Sequence, residues 1–412
     1  MRMLTVLLSA LAVAVAPAVA AAEVAEPPPA QSHVVYQRAA FRAGTAEGVA
    51  AGRALSFRSP AGTMEYTDAL GTKTWEYARW TGPEQAVGFP ATELIASWTA
   101  DTPPGTWIQV EMRGTSPDTK WYVLGRWAYG DADIRRTSVS GQRDADGTVS
   151  VDTFVAAGGR PIDSYRLRVT LHRLPGTARG PVVRSLGAMA SAVPDRADVP
   201  ASPAGGAWGI ELPVPRRSQN VHEGHYPEWD GGGEAWCSPT STTMVMGRWH
   251  RLPTRKDTAW VDPADPDPEV DHAARHTYDY DYEGAGNWPF NTAYAGHHGL
   301  DGFVTRLRSL TELERMIRYG IPVITSQSFK AEELPGAGYS TNGHLMVIIG
   351  FTRTGDVIAN DPASKDNEAV RRVYPRAAFE RVWQRSTGGI SYIIRPPHHP
   401  LPPSAPGLPA NW

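Results

Sequence analysis

Between residues 33 and 192 apolar and polar positions alternate with a period of two. Ile108, Val110 and Met112 are interleaved with Gln109, Glu111 and Arg113. Tyr165, Leu167, Val169 and Leu171 are interleaved with Arg166, Arg168, Thr170 and His172. Successive strand side chains point to opposite faces, so this period predicts half-buried β-strands. Pro103-Pro104-Gly105 and Asp144-Ala145-Asp146-Gly147 supply turns between them. No helical stripe of comparable clarity interrupts the pattern. The first half is therefore expected to be an all-β sandwich of jelly-roll type.

Residues 193–208 carry few large apolar groups and read as a linker. The pattern then changes. Ser238-Pro239 opens a helix that carries Met244, Val245 and Trp249 and ends before Pro253. Ser309 with Glu312 three residues later forms a capping-box signature, followed by the apolar face Leu310, Leu313, Met316 and Ile317 and by Gly320. Val323 to Ser326, Leu345 to Phe351, Val357-Ile358 and Ile390 to Ile394 read as strands, with Thr354-Gly355-Asp356 as a turn. Helices followed by antiparallel strands make residues 209–396 an α+β domain. Each half shows its own core pattern, so the second is expected to fold without the first. Residues 397–412 are mostly Pro and small residues and read as an extended tail.

The 412 residues are 41% hydrophobic and 20% charged, enough to bury the cores of two domains. Net charge is -3 without a basic block, which argues against a nucleic-acid or membrane-surface partner. Arg2, the apolar run Leu4 to Ala16 and the small residues up to Ala20 or Ala22 read as a signal peptide over residues 1–22. No later segment is apolar enough to span a membrane. The mature chain is thus expected to be secreted, with no membrane span after signal cleavage. One cysteine remains in a protein bound for an oxidising space, where cysteines normally come in pairs. A lone thiol there needs a reason, and catalysis is one.

Cys237 lies in Gly-Gly-Glu-Ala-Trp-Cys-Ser-Pro-Thr, with glycines running in and a helix leading out. A helix N-terminus favours an anion, and the thiolate is the reactive form of cysteine. His344 stands at the mouth of the buried strand Leu345 to Phe351, where it can face a cleft while its neighbours fill the core. Asp361, in Asn360-Asp361-Pro362, ends the return strand, so the hairpin brings it near His344. A carboxylate there can orient an imidazole, and Asn360 could do part of the same work as an amide. Gln219, upstream of Cys237, could add an oxyanion donor beside the Cys237 backbone N–H. Three further signals are weighed against packing. Asp262 to Glu269 reads as a solvated acidic loop rather than a calcium site. Tyr278, Tyr280 and Tyr282 read as either a substrate platform or core cover. Trp75, Trp80, Trp98, Trp107, Trp121 and Trp127 read as sheet packing rather than sugar binding. No zinc-type spacing or phosphate-binding glycine loop occurs, so neither metal nor organic cofactor is expected.

The order Gln, Cys at a helix start, Gly-His before an apolar strand, then Asn-Asp-Pro resembles the C39-like cysteine peptidases of the papain-like clan. The resemblance covers roughly 212–394. It implies a papain-like fold, Cys237 as nucleophile, His344 as base, Asp361 as orienting residue and Gln219 in the oxyanion hole. The insert between Gln219 and Cys237, with His222, His225, Trp229 and Gly231-Gly232-Gly233, is longer than the family's compact version. The first half resembles the accessory region found before such domains in exported actinobacterial proteins. A monomer that hydrolyses peptide or isopeptide bonds is expected, with a peptide or protein substrate, cell-wall peptide included. A peptidoglycan amidase or acyltransferase with the same residues is one alternative. A non-catalytic wall- or glycan-binding protein is another.

Overall fold

The computed structural model describes residues 32–194 and 199–412. The predicted signal peptide and residues 195–198 of the linker lie outside these.

The alternating runs pair with each other. Strands Thr106–Ser116 and Ile162–Arg173 are antiparallel, with Leu167 opposite Met112, Val169 opposite Val110 and Leu171 opposite Ile108. All six side chains are fully buried. On the other face Arg168 lies opposite Glu111 and grips both of its carboxylate oxygens, at 2.7 and 2.6 Å. The same guanidinium lies 4.1 Å over the Trp121 ring. The outward face is therefore covered by its own charge pairs rather than left to water. These strands belong to a seven-stranded sheet, and a second seven-stranded sheet is centred on Glu93–Asp101 and Val182–Ala192. The first half is thus β-rich, as its pattern predicts. Five of the six tryptophans singled out there, Trp75, Trp80, Trp98, Trp107 and Trp127, are at most 1% exposed, so they pack the sheets.

The second half is a six-stranded antiparallel sheet with five helices. Its strands run in the order Asp301–Arg306, Ile390–Arg395, Val323–Phe329, Thr341–Phe351, Val357–Asn360 and Arg371–Tyr374. Helix α1 spans Cys237–Arg248, α2 Pro268–Thr277, α3 Trp288–His297, α4 Leu310–Arg318 and α5 Arg376–Thr387. The expected order of two helices followed by strands is corrected here. Helices α2 and α3 precede the first strand, and α5 sits between the last two. Helix α3 is buried on nearly every side, which leaves no apolar stripe to read. Helix α2 starts inside the acidic run taken for a loop, with Pro268 at its first turn. The capping box is also not formed. Ser309 makes no side-chain cap, and Glu312 accepts instead from Arg308 and Asn411.

One buried apolar cluster runs through both halves. Phe290 of α3 packs against Trp98 and Trp127 of the first half, at ring-centroid distances of 6.2 and 5.3 Å. Arg136, fully buried, donates to Ala128 O and Tyr129 O on one side and to Arg275 O of α2 on the other. The segment read as an extended tail packs back as well. Asn411 is fully buried and donates to Arg306 O and Glu312, each at 2.8 Å. Buried contacts therefore join the two halves. An isolated 209–396 would expose Phe290 and leave Arg136's acceptor at Arg275 unpaired.

Burial also sets a pH dependence. His172, stacked on Trp107 at 3.7 Å, is held down to about 3 by burial. His298 is held to about 4 by burial and by His297, and burial lowers His297 too. All three are neutral in the fold, whereas an unfolded imidazole titrates near ~6.5. The unfolded chain therefore binds more protons below that point. Stability from these groups is full above ~6.5 and falls as pH drops toward ~4. Each group steepens the decline by up to ~1.4 kcal/mol per pH unit. The thermal midpoint is expected to drop between about pH 7 and about pH 4.5, and H297Q/H298Q should flatten that drop. An unchanged midpoint over this range in wild type would show that the cluster does not titrate this way.

Candidate active site

Cys237 is the first residue of α1 and is partly exposed. As the first helical residue, its backbone N–H has no intrahelical acceptor. The approach to it depends on glycine. Gly231 and Gly232 have φ of +77° and +117°, in the region that L side chains avoid. A Cβ at Gly233 would stand 2.4 Å from Gln219 O and 2.5 Å from His222 O. The glycine run thus lets the insert fold tightly behind Gln219.

His344 lies in strand Thr341–Phe351 and is buried. The next strand, Val357–Asn360, runs back with Asn360 opposite Val347, which returns the chain to the His344 end. Asp361 follows and accepts from His344 Nε2 at 2.9 Å. The other ring nitrogen, Nδ1, is not engaged by Asp361, and Cys237 lines the same cleft as His344, close enough to raise the imidazole further. Asn360 turns away and donates to Pro215 O at 3.1 Å. The structure thus brings Cys237, His344 and Asp361 together, and Asn360 holds the backbone beneath them.

Four donors surround the Asp361 carboxylate. Oδ1 accepts from His344 and from Ala363 N at 3.0 Å. Oδ2 accepts from Tyr339 at 2.8 Å and Tyr374 at 2.5 Å. Burial alone would raise this carboxyl, but the His344 charge and the two phenols outweigh it and hold it at about 2. Burial alone would lower His344, but Asp361 and then Cys237 push it up to about 10. The buried Asp361 carboxylate therefore favours the protonated form of the His344 ring. Tyr339 and Tyr374 escaped the sequence reading because nothing in their local pattern marks them, and they reach Asp361 from 22 and 13 residues away.

Gln219 is buried, and its Nε2 donates to Glu234 O at 2.5 Å. Its backbone N–H donates to Pro362 O at 2.9 Å, next to Asp361. Gln219, Cys237 and His344 line one cleft of 680 Å³. Gln327, the cross-strand partner of His344, lines it too, fully buried with both amide atoms unpaired. An unpaired buried amide is costly unless a ligand completes it, and that mark is visible only in the fold. Tyr282, 49% exposed, lines the cleft with Trp288, whereas Tyr278 is buried in a small apolar cluster. Tyr282 and Trp288 also line an adjoining cavity of 490 Å³, whose lining includes Glu93, Asp152 and Thr153 of the first half. Burial raises the Asp152 carboxyl to about 6, and its Oδ2 accepts from Trp288 N at 2.8 Å.

Residues 31–191 match a family model described as the peptidase C39 N-terminal domain. Residues 211–391 match one described as the peptidase C39-like family. A solved chain from Bacillus anthracis, described as a candidate C39-like peptidase, is 18% identical over 45% of this chain and 96% of its own, with a TM-score of 0.28. No curated protein matches the chain.

Proposed function

We propose, on the premise that the chain joins a peptidase C39 N-terminal domain to a C39-like peptidase domain, that it is a cysteine peptidase acting through Cys237, His344 and Asp361. The observation that carries this reading is the lone cysteine and the raised imidazole on one open cleft, with the caged, buried carboxylate bonded to that imidazole. The fold around them is proposed to be papain-like, and the apolar leader supports export. Proteolysis of a peptide library by wild type and C237A tests the reading.

The chemistry follows from the geometry. His344 Nδ1 takes the thiol proton, and the Cys237 sulfur attacks the carbonyl carbon of a peptide or isopeptide bond. The carbonyl π electrons move to oxygen, which receives the Cys237 backbone N–H and the second Gln219 Nε2 hydrogen. The oxyanion collapses, the C–N bond breaks, and His344 gives its proton to the leaving amine. Water, deprotonated by His344, then attacks the thioester. The free acid leaves and Cys237 recovers its proton. Asp361 holds the ring and offsets its charge throughout without changing bonds. The Gln327 amide is placed to pair with a substrate backbone, and Tyr282 and Trp288 are placed to cover its side chains.

Gln219→Ala is expected to lower kcat by a factor of ~10²–10³, the usual cost of one oxyanion donor. KM should change little, because the donor acts where charge develops. The Glu234 carbonyl it releases borders the open cleft and can be solvated, so the fold should persist. A tenfold rise in KM at constant kcat would instead make Gln219 a substrate-binding residue.

A further inference from the structure

The insert that separates Gln219 from Cys237 carries a second cluster that the proposed reaction does not use. His222 and His225 lie on the insert, and Asp271 lies on α2, 46 residues beyond His225. His222 and Asp271 are fully buried, and the His225 side chain is 23% exposed. We infer that His222, His225 and Asp271 form a zinc site that clamps the insert to α2.

Three observations carry it. The ligand atoms of the three residues all lie within 4.8 Å of one another. His222 Nδ1 stands 3.3 and 3.2 Å from Asp271 Oδ1 and Oδ2, and His225 Nδ1 stands 3.2 Å from Oδ1. Charge-assisted hydrogen bonds between such groups are shorter, ~2.7–2.9 Å. With zinc–ligand bonds of ~2.0–2.1 Å, the edge of a tetrahedron is ~3.3–3.4 Å, close to the spacing seen.

The second observation is unmet demand. Asp271 Oδ2 is buried and makes no hydrogen bond. Oδ2 stands 3.2 Å from His222 Nδ1 without the angle a hydrogen bond needs, as two ligands on one ion would. The third is charge. Among the described residues no Arg or Lys pairs with the buried Asp271 carboxylate, whose ionic partners there are the two imidazoles. A buried carboxylate without a cation is costly, and a divalent ion removes that cost.

Two imidazoles and one carboxylate suit zinc, with water in the fourth position. Asp265 Oδ1 lies 3.5 Å from His225 Nε2, placed to orient the ring from behind. The sequence hid the site because His-x-x-His is too short a signature, and the third ligand is distant in the chain. The cluster is also separate from the cleft, which none of the three residues lines. Its link to chemistry is mechanical. His222 packs on Trp236, with ring centroids 6.1 Å apart, and Trp236 precedes Cys237.

The test uses the full mature chain, stripped of metal and titrated with zinc(II) alone. One ion should bind per chain, with visible d–d bands of a four-coordinate site when cobalt(II) replaces zinc. H225A should weaken zinc binding at least ~100-fold. Its side chain is partly exposed, so the variant should stay folded; circular dichroism and the thermal midpoint of the metal-free proteins check this. D265N is a second variant, expected to weaken binding ~10–100-fold. Zinc should raise the thermal midpoint of wild type and leave that of H225A unmoved. A folded wild type that takes up no stoichiometric zinc overturns the assignment. So does uptake that H225A leaves unchanged, which would place the metal on the histidines of α2 and α3 instead. None of these readouts depends on peptidase activity.

Discussion

Cys237→Ala is expected to remove turnover, with a loss on the order of 10⁶ in kcat. The sulfur is the atom that bonds to the substrate, and in the proposed reaction it has no substitute, because the chain holds one cysteine. His344→Ala should cost about as much, since the base and the nucleophile act as one unit. The double variant should therefore be no worse than either single one. Cys237 is only partly buried and its replacement by alanine removes one atom, so the thermal midpoint should stay close to that of wild type. Peptide-library hydrolysis, read by mass spectrometry with wild type and variants side by side, measures this. A C237A chain that still cleaves peptides would sink the nucleophile. One that unfolds, with no substrate found for wild type, would make Cys237 a structural thiol. If H344A keeps full activity, the base must be sought elsewhere.

Asp361→Asn should act on both rate and stability. In the proposed reaction the carboxylate fixes the His344 ring and stabilises its charge, so its loss is expected to lower kcat by ~10⁴. Some activity should remain, because Asp361 takes no part in the bond changes. The structural cost arises from the cage. His344, Tyr339 and Tyr374 would all donate toward a group that no longer carries charge. Removing one partner of a buried ion pair costs about 3–5 kcal/mol.

The pH profile separates this from a simple packing defect. The His344 pKa is raised to about 10, so its contribution is complete below the unfolded value and is lost as pH rises through about 10. The Asp361 pKa is lowered to about 2, so its contribution is complete above the unfolded value and is lost as pH falls through about 2. The pair therefore stabilises most between ~4 and ~6.5, where both unfolded groups are in the states the fold prefers. Denaturation midpoints of wild type should decline from ~6.5 toward ~10, and those of D361N should decline less. A parallel loss at every pH would mean that the His344–Asp361 pair does not supply the stability.

Much of the fold was legible because it is local. A period of two over Ile108–Met112 and Tyr165–Leu171 allows one face to be buried, and the two runs pair in register. The apolar run before Gly350 could only be an interior strand, which placed His344 at its mouth and Asp361 at the end of its return. The Gly-rich approach to Cys237 and the Ser-Pro after it marked a helix start, and α1 begins there. What stayed hidden has no local pattern. Helix α3 is packed on nearly all sides, so its sequence carries no stripe. The hydroxyls of Tyr339 and Tyr374, the unpaired amide of Gln327 and the His222–His225–Asp271 cluster join residues that only folding brings together.

The junction of the halves shows the same division. Composition drew a boundary at 193–208, because that stretch has few apolar anchors. Yet Phe290 packs on Trp98 and Trp127, and Arg136 bridges to α2. An aromatic or a guanidinium does not announce which sheet it will meet. By itself the sequence determined the most regular strands, the start of α1 and the nearness of Asp361 to His344, since periodicity and chain direction act over short range. Tertiary structure decided how Asp361 is caged, how the two cores merge and where the first half walls the neighbouring cavity, since burial is a property of neighbours and not of the chain.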